Sequence, residues 1–198
     1  MHRQIALDGA SITSATETLE IGAGTLNQLS YEPDTGSYDI VEPFTELYEQ
    51  SPLAHRIRNI FSDISQLPGP QHYDRITSVA AFEHICNLPE VIATCGLRLK
   101  PKGQLRIAIP SEGTWLWTLG WKLTTGLEFR LRHGLDYGVL MHHEHVSTAK
   151  EIDNLLHYFF NVVHTKTFGL CKSTSFYQSY TCSDTNFQRC NDFHERLL

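Results

Sequence analysis

Apolar positions in this chain fall into short runs of β-branched and aromatic residues bounded by turn-forming residues, the pattern of strands rather than of long helices. Seven runs stand out, at 18–21, 37–41, 57–61, 74–79, 104–109, 161–168 and 174–182. Between them the period changes. Leu88, Val91, Ile92 and Cys95 recur at helical spacing and predict a helix over 88–97, which Leu97-Arg98-Leu99-Lys100-Pro101-Lys102-Gly103 closes and turns into the next strand. A second helix is predicted near 149–158, entered through the capping box Thr148-Ala149-Lys150-Glu151. Two shorter helical segments are expected at 25–29 and, after Pro43, at 44–50. The Pro-, Gly- and polar-rich stretches 30–37 and 66–73 read as loops.

Strands separated by crossover helices imply an α/β chain with a largely parallel, doubly wound sheet. The last two strands differ, because Gly169–Lys172 is too short a connection for a crossover and predicts an antiparallel hairpin at one sheet edge. The whole chain, 1–198, is expected to form one domain, with a cap-like insertion at about 111–146 and a loose tail at about 184–198. Trp115, Trp117, Trp121, Phe129 and Tyr137 make the insertion a candidate substrate pocket, since it follows the carboxyl end of a strand. Alternatively, Leu116, Trp117, Leu119 and Leu123 bury one face of an amphipathic helix against the sheet.

Composition narrows the function classes. A chain of 198 residues with 41% hydrophobic and 19% charged residues is globular, and its net charge of -6 offers no surplus for neutralising phosphates, so nucleic acid is a weak candidate partner. Neither a signal-peptide core nor a membrane-spanning run is visible, and a soluble, cytoplasmic protein is expected. Five cysteines without a C-x-x-C pair read as reduced packing thiols rather than as a disulfide framework or a zinc ribbon.

The chemistry concentrates at the first two strands. Glu20-Ile21-Gly22-Ala23-Gly24 runs from a strand into two glycines one residue apart, which allow a tight turn and a close approach to a ligand. Glu42 ends the second strand 18 residues beyond Gly24, where an acid can accept both hydroxyls of a ribose. Together they describe a nucleoside site. Asn27 stands where the dinucleotide fingerprint has its third glycine, which disfavours an NAD(P)-dependent reductase.

These residues, with Val41-Glu42-Pro43, Ser62-Asp63-Ile64, Tyr73-Asp74-Arg75-Ile76 running to Phe82-Glu83-His84, and Leu99-Lys100-Pro101-Lys102-Gly103-Gln104, resemble the ordered motifs of class I S-adenosylmethionine-dependent methyltransferases of the small-molecule, type 11-like branch. The resemblance covers about residues 18–110. It implies a Rossmann-like sheet of seven strands whose last strand is inserted antiparallel, and S-adenosylmethionine as cofactor. Glu20 and the backbone of Gly22, Ala23 and Gly24 would face the methionine part, Glu42 the ribose, Asp63 and Ile64 the adenine, and the segment from Ser78 to Ala80 the methionine moiety. Glu83 and His84 are expected only to begin a helix, where an acid suits the helix dipole. The implied reaction is methyl transfer to an oxygen or nitrogen of a small molecule, and the alternative is a cofactor-binding subunit without catalysis. Only 17 residues precede the first strand, a shorter lead than is general in the family, so either the insertion provides the cover, or a partner helps, as a homodimer or as the subunit this chain supports, or the chain is a shortened version that binds cofactor poorly.

His142, His143, Glu144 and His145 suggest a divalent metal at first sight, but only His143 and His145 could share a strand face, so no metal is expected. In similar methyltransferases the Glu-His-Val segment borders the active-site cleft. This favours His145 as a pocket residue over its neighbours, the alternative being plain loop histidines ahead of the next helix. Because a histidine can take a proton near neutrality, His143 and His145 are the candidate bases, with Glu144, Asp136 and Tyr137 behind them.

Overall fold

A computed structural model describes residues 1–111, 146–169 and 174–196, the side chains of 8–10 aside. The strands are β1 (Glu17–Ile21), β2 (Ser37–Val41), β3 (Asn59–Phe61), β4 (Tyr73–Val79), β5 (Leu99–Pro110), β6 (Phe160–Gly169) and β7 (Ser175–Thr185). They form one sheet in the order β3-β2-β1-β4-β5-β7-β6. Pairings from β3 through β5 are parallel, while β7 lies antiparallel to both β5 and β6. The α/β sheet, its parallel body and its antiparallel last strand thus agree with the expectation from sequence. The strand order reverses between β1 and β4, and that reversal is where an open α/β sheet leaves a crevice at its carboxyl ends.

One face is conventional. The helices α2 (Leu88–Arg98), α3 (Ala149–Phe159) and α4 (Phe187–Glu195) cover it, burying Ile92, Cys95, Ile152, Leu156 and Phe159 against Leu19, Ile76, Leu105 and Ile107. The capping box that opens α3 is present: Thr148 Oγ1 accepts the Glu151 N–H at 3.3 Å and Glu151 Oε2 accepts the Thr148 N–H at 2.8 Å. Each such cap contributes about 1 kcal/mol. The stretch expected to be a loose tail instead carries α4. Asn186 caps the Arg189 N–H at 3.1 Å, Cys190 is fully buried, and Phe193 meets Phe159 edge-on with ring centroids 5.6 Å apart.

The other face departs from the usual parallel sheet, which is apolar on both sides. The segments expected to be helical at 25–29 and 44–50 form only 3₁₀ turns, at Gln28–Tyr31 and Thr45–Leu47. Beneath these turns a small apolar cluster of Leu26, Leu29, Tyr38 and Ile40 adjoins a buried polar layer. Arg75 donates to both Glu32 oxygens, at 3.0 and 2.9 Å, and Gln28 Nε2 donates to the same carboxylate. The helix α1 (His2–Ile5) is fixed over this layer because Arg75 Nη2 and Arg106 Nε both donate to the Ile5 carbonyl, each at 3.0 Å. Among the described residues no helix is long and apolar enough to cross a membrane.

Candidate active site

A cavity of about 500 Å³ opens at the carboxyl ends of β1, β2 and β4. Its walls include Gly22, Gly24, Glu42, Asp63, Ile64 and Ala80, six of the nine cofactor residues expected from sequence. Convergence from three strands and two loops is a stronger observation than any single motif.

Gly22 and Gly24 both have positive φ, +68° and +51°, a region glycine enters without steric cost. Their surroundings differ. A Cβ on Gly22 would lie 2.4 Å from the Cβ of Ala81, so the β1 turn and the segment after β4 touch only because Gly22 has none. A Cβ on Gly24 would meet nothing within 4 Å and would stand in the space of the cleft wall. The turn is held from β2: Glu42 Oε2 accepts the Gly24 N–H at 2.8 Å, and Glu42 Oε1 accepts the Phe44 N–H at 3.1 Å. Each carboxylate oxygen can accept a further bond, so hydroxyls arriving from the cleft find an oriented acceptor.

Asp63 begins the turn after β3, and its Oδ1 accepts the Ser65 N–H at 2.8 Å. Bonds from Ser65 hold its carboxyl below the usual value, so it is ionised at neutral pH. Ile64 beside it is buried and gives the cleft an apolar floor, while Phe44, 63% exposed, stands on the rim.

Glu20, Ala23 and Ser78 do not line the cavity. Glu20 is buried on the polar face and accepts the Tyr38 hydroxyl at 2.9 Å; burial, the largest influence, pushes its carboxyl up to about 8. Alternation along β1 sends Ile21 and Glu20 to opposite faces, which explains why the acid turns away from the helix-covered core. Ala23 packs with Leu26 and Leu29, and Ser78 Oγ donates to the Ile21 carbonyl at 2.9 Å, bracing β4 on β1. The candidate bases His143 and His145, with Glu144, Asp136 and Tyr137, lie outside the described residues, as does most of the cap-like insertion.

Ala81 and His84 were not among the expected cofactor residues. Both line the cleft, and between them Glu83 is almost fully buried, its Oε2 without a hydrogen-bond partner among the described residues. The structure gives Phe82–His84 a single 3₁₀ turn rather than the start of the helix, so no helix dipole explains the acid. Burial pushes the Glu83 carboxyl up to about 7. The apolar flank of Phe82 was the only hint in the sequence that this acid would be covered. Among the described residues no group of three or more histidine, cysteine, aspartate or glutamate side chains could hold a metal ion.

Known structures share this architecture. Phosphoethanolamine N-methyltransferase 2 of Haemonchus contortus, in complex with S-adenosyl-L-methionine, superposes with a TM-score of 0.63 at 10% identity over 92% of this chain and 52% of its own length. An S-adenosylmethionine-dependent methyltransferase of Thermotoga maritima, described as a possible histamine N-methyltransferase, gives 0.61 at 13% identity, covering 93% of this chain and 88% of that one. The S-adenosylmethionine-dependent methyltransferase of Mesorhizobium loti gives 0.54 at 13% identity, over 87% and 93%. This chain therefore spans about half of the Haemonchus enzyme and most of the two bacterial ones. No protein-family model and no curated protein sequence matches the chain. The fold is that of the class I S-adenosylmethionine-dependent methyltransferases.

Proposed function

We propose that this protein is an enzyme that transfers a methyl group from S-adenosylmethionine to an oxygen or nitrogen of a small molecule. The observation that carries the reading is the pairing of Glu42 with the Gly24 N–H inside the cleft, which puts an oriented acid at the end of β2 and a glycine turn at the end of β1 around one cavity. The residues fit the cofactor. Open space at the missing Gly24 side chain leaves the turn accessible, Glu42 offers acceptors for two ribose hydroxyls, and Asp63 above the apolar Ile64 suits an adenine with its exocyclic amine.

Bound there, the cofactor supplies an already electrophilic methyl carbon on a sulfonium. What remains for the chain is to hold the acceptor in line, exclude water and receive a proton from a hydroxyl or amine acceptor. For that last step His143 and His145 are the proposed first bases. Glu20, bonded to Tyr38 behind β1, is assigned to the support of the sheet rather than to contact with the methionine moiety.

Isothermal titration with S-adenosylmethionine and with S-adenosylhomocysteine tests the reading. Binding heat and a raised melting temperature are expected, because a ligand that binds the native state must stabilise it. The absence of both effects at millimolar ligand would overturn the assignment.

A further inference from the structure

The buried carboxyl of Glu83 has no role in the cofactor contacts just described. It is 3% exposed, its Oε2 has no hydrogen-bond partner among the described residues, and its Oε1 lies 4.0 Å from Nε2 of His84. Leaving a buried acid unsatisfied costs about 1–3 kcal/mol, more if it is charged. Its position gives that cost a function. The turn that carries it follows β4, opposite the Gly22 turn, and its neighbours Ala81 and His84 form the cleft wall. The ribose acid and the adenine acid stand on β2 and after β3, so the β4 side of the same cleft is the end where the transferred group would lie. The Glu83 carbonyl also accepts the N–H groups of Val146 and Ser147, at 2.9 and 3.3 Å, so the turn is tied to the chain entering α3.

Building on the proposed function, we infer that Glu83 binds and releases one proton in step with the charge in the cleft: it ionises when the cationic sulfonium cofactor enters and is reprotonated once the neutral thioether product remains. The balance closes. A neutral O–H or N–H acceptor gains a methyl group and gives up one proton, the cofactor gives up its positive charge, and the proton is taken up at Glu83, through His84 and whichever base receives it first. A positive charge stabilises an ionised carboxylate, and the low dielectric of the wall strengthens the effect.

The electrostatic surroundings suit this use. Burial raises the group to about 7, and its own backbone N–H opposes the rise. His84 is the titratable neighbour on the same turn. On α3, the element packed against it, Lys150 is exposed, Glu151 is engaged in the capping box with Thr148, and Asp153 acts on Tyr180 and Cys182. With its carboxyl raised by burial into the neutral range, Glu83 has a proton that a charge arriving nearby can displace.

The test is calorimetry of S-adenosylmethionine and S-adenosylhomocysteine binding at pH 7 in phosphate and in Tris, whose ionisation heats differ, so that the buffer dependence gives protons released per ligand. The excess released with S-adenosylmethionine over S-adenosylhomocysteine should be larger in wild type than in Glu83→Gln by a measurable fraction of a proton per site. Glu20→Gln removes the other buried carboxyl raised into this range and should keep the wild-type excess, which decides the matter if Glu83→Gln does not fold. Equal excess in wild type and Glu83→Gln, or its loss in Glu20→Gln, overturns the inference while the binding heats still support the cofactor assignment. Absence of heat with both ligands overturns both.

Discussion

The Glu42 carboxylate and the Gly24 backbone N–H are joined at 2.8 Å, so the acid that ends β2 fixes the turn that ends β1. One residue thus shapes the loop and, in the proposed reading, would offer acceptors to the ribose. Glu42→Gln keeps the volume and one acceptor oxygen but removes the charge. Hydrogen bonds to a charged group contribute about 1.5–3 kcal/mol, so S-adenosylmethionine affinity should fall by about tenfold to a hundredfold. Calorimetry reads this directly, and an unchanged Kd would remove Glu42 from the site.

The two glycines of the turn should respond differently to an added methyl group. Gly22→Ala brings a Cβ to 2.4 Å from Ala81 at φ +68°, and left-handed strain with overpacking should cost about 2 kcal/mol or more of stability. Gly24→Ala meets open space, so its stability loss should be near 1 kcal/mol while cofactor affinity suffers more. Ala81→Gly should recover part of the Gly22→Ala loss and none of the other. Urea denaturation of the two single and two double variants checks the pattern; equal rescue of both would show that strain alone is at work.

Period and turn chemistry made most of this fold legible. Short runs of β-branched and aromatic residues marked every strand, and the four-residue link Gly169–Lys172 marked the antiparallel pair. The helix α4 was missed because Phe187, Cys190 and Phe193 are its only apolar positions among polar neighbours, too sparse a stripe to read without knowing that α2 lies opposite. Glu42 and Asp63 were readable because the chain places them at strand ends, a local property. Burial of Glu20 and Glu83 was not, because it depends on what the other strands and turns bring over them. The polar layer was hidden for the same reason: Glu32, Arg75 and Arg106 are ordinary surface residues until the sheet aligns them.

That layer sets a prediction for stability. The Arg75 and Glu32 side chains are 4% and 1% exposed and bonded through two N–H···O contacts. Removing one partner strands a buried charge, so Arg75→Met should destabilise the protein by about 3–5 kcal/mol. Pairing it with Glu32→Leu should restore much of the loss, since apolar replacements of a buried ion pair are often neutral. A double variant no more stable than the single one would show that the Arg75 bond to the Ile5 carbonyl, rather than the ion pair, dominates.

Glu20 predicts a pH dependence of stability opposite to that of an ordinary salt-bridged acid. Burial raises its native carboxyl to about 8, the Tyr38 hydroxyl opposes this, and Glu32 adds to it. The unfolded chain exposes the same group at its usual value of about 4.3. Between those limits the native state binds the extra proton, so its relative stability is greatest at the acidic end and declines as pH rises towards 8. Glu20→Gln keeps an acceptor for Tyr38 and cannot ionise. The stability difference between wild type and Glu20→Gln should therefore move against wild type by on the order of a few kcal/mol from pH 5 to pH 8. Urea unfolding at three pH values measures it, and subtracting the variant cancels the carboxylates common to both. A difference that moved in favour of wild type as pH rose would mean that Glu20 is ionised in the native protein, and that Arg75 rather than burial governs it.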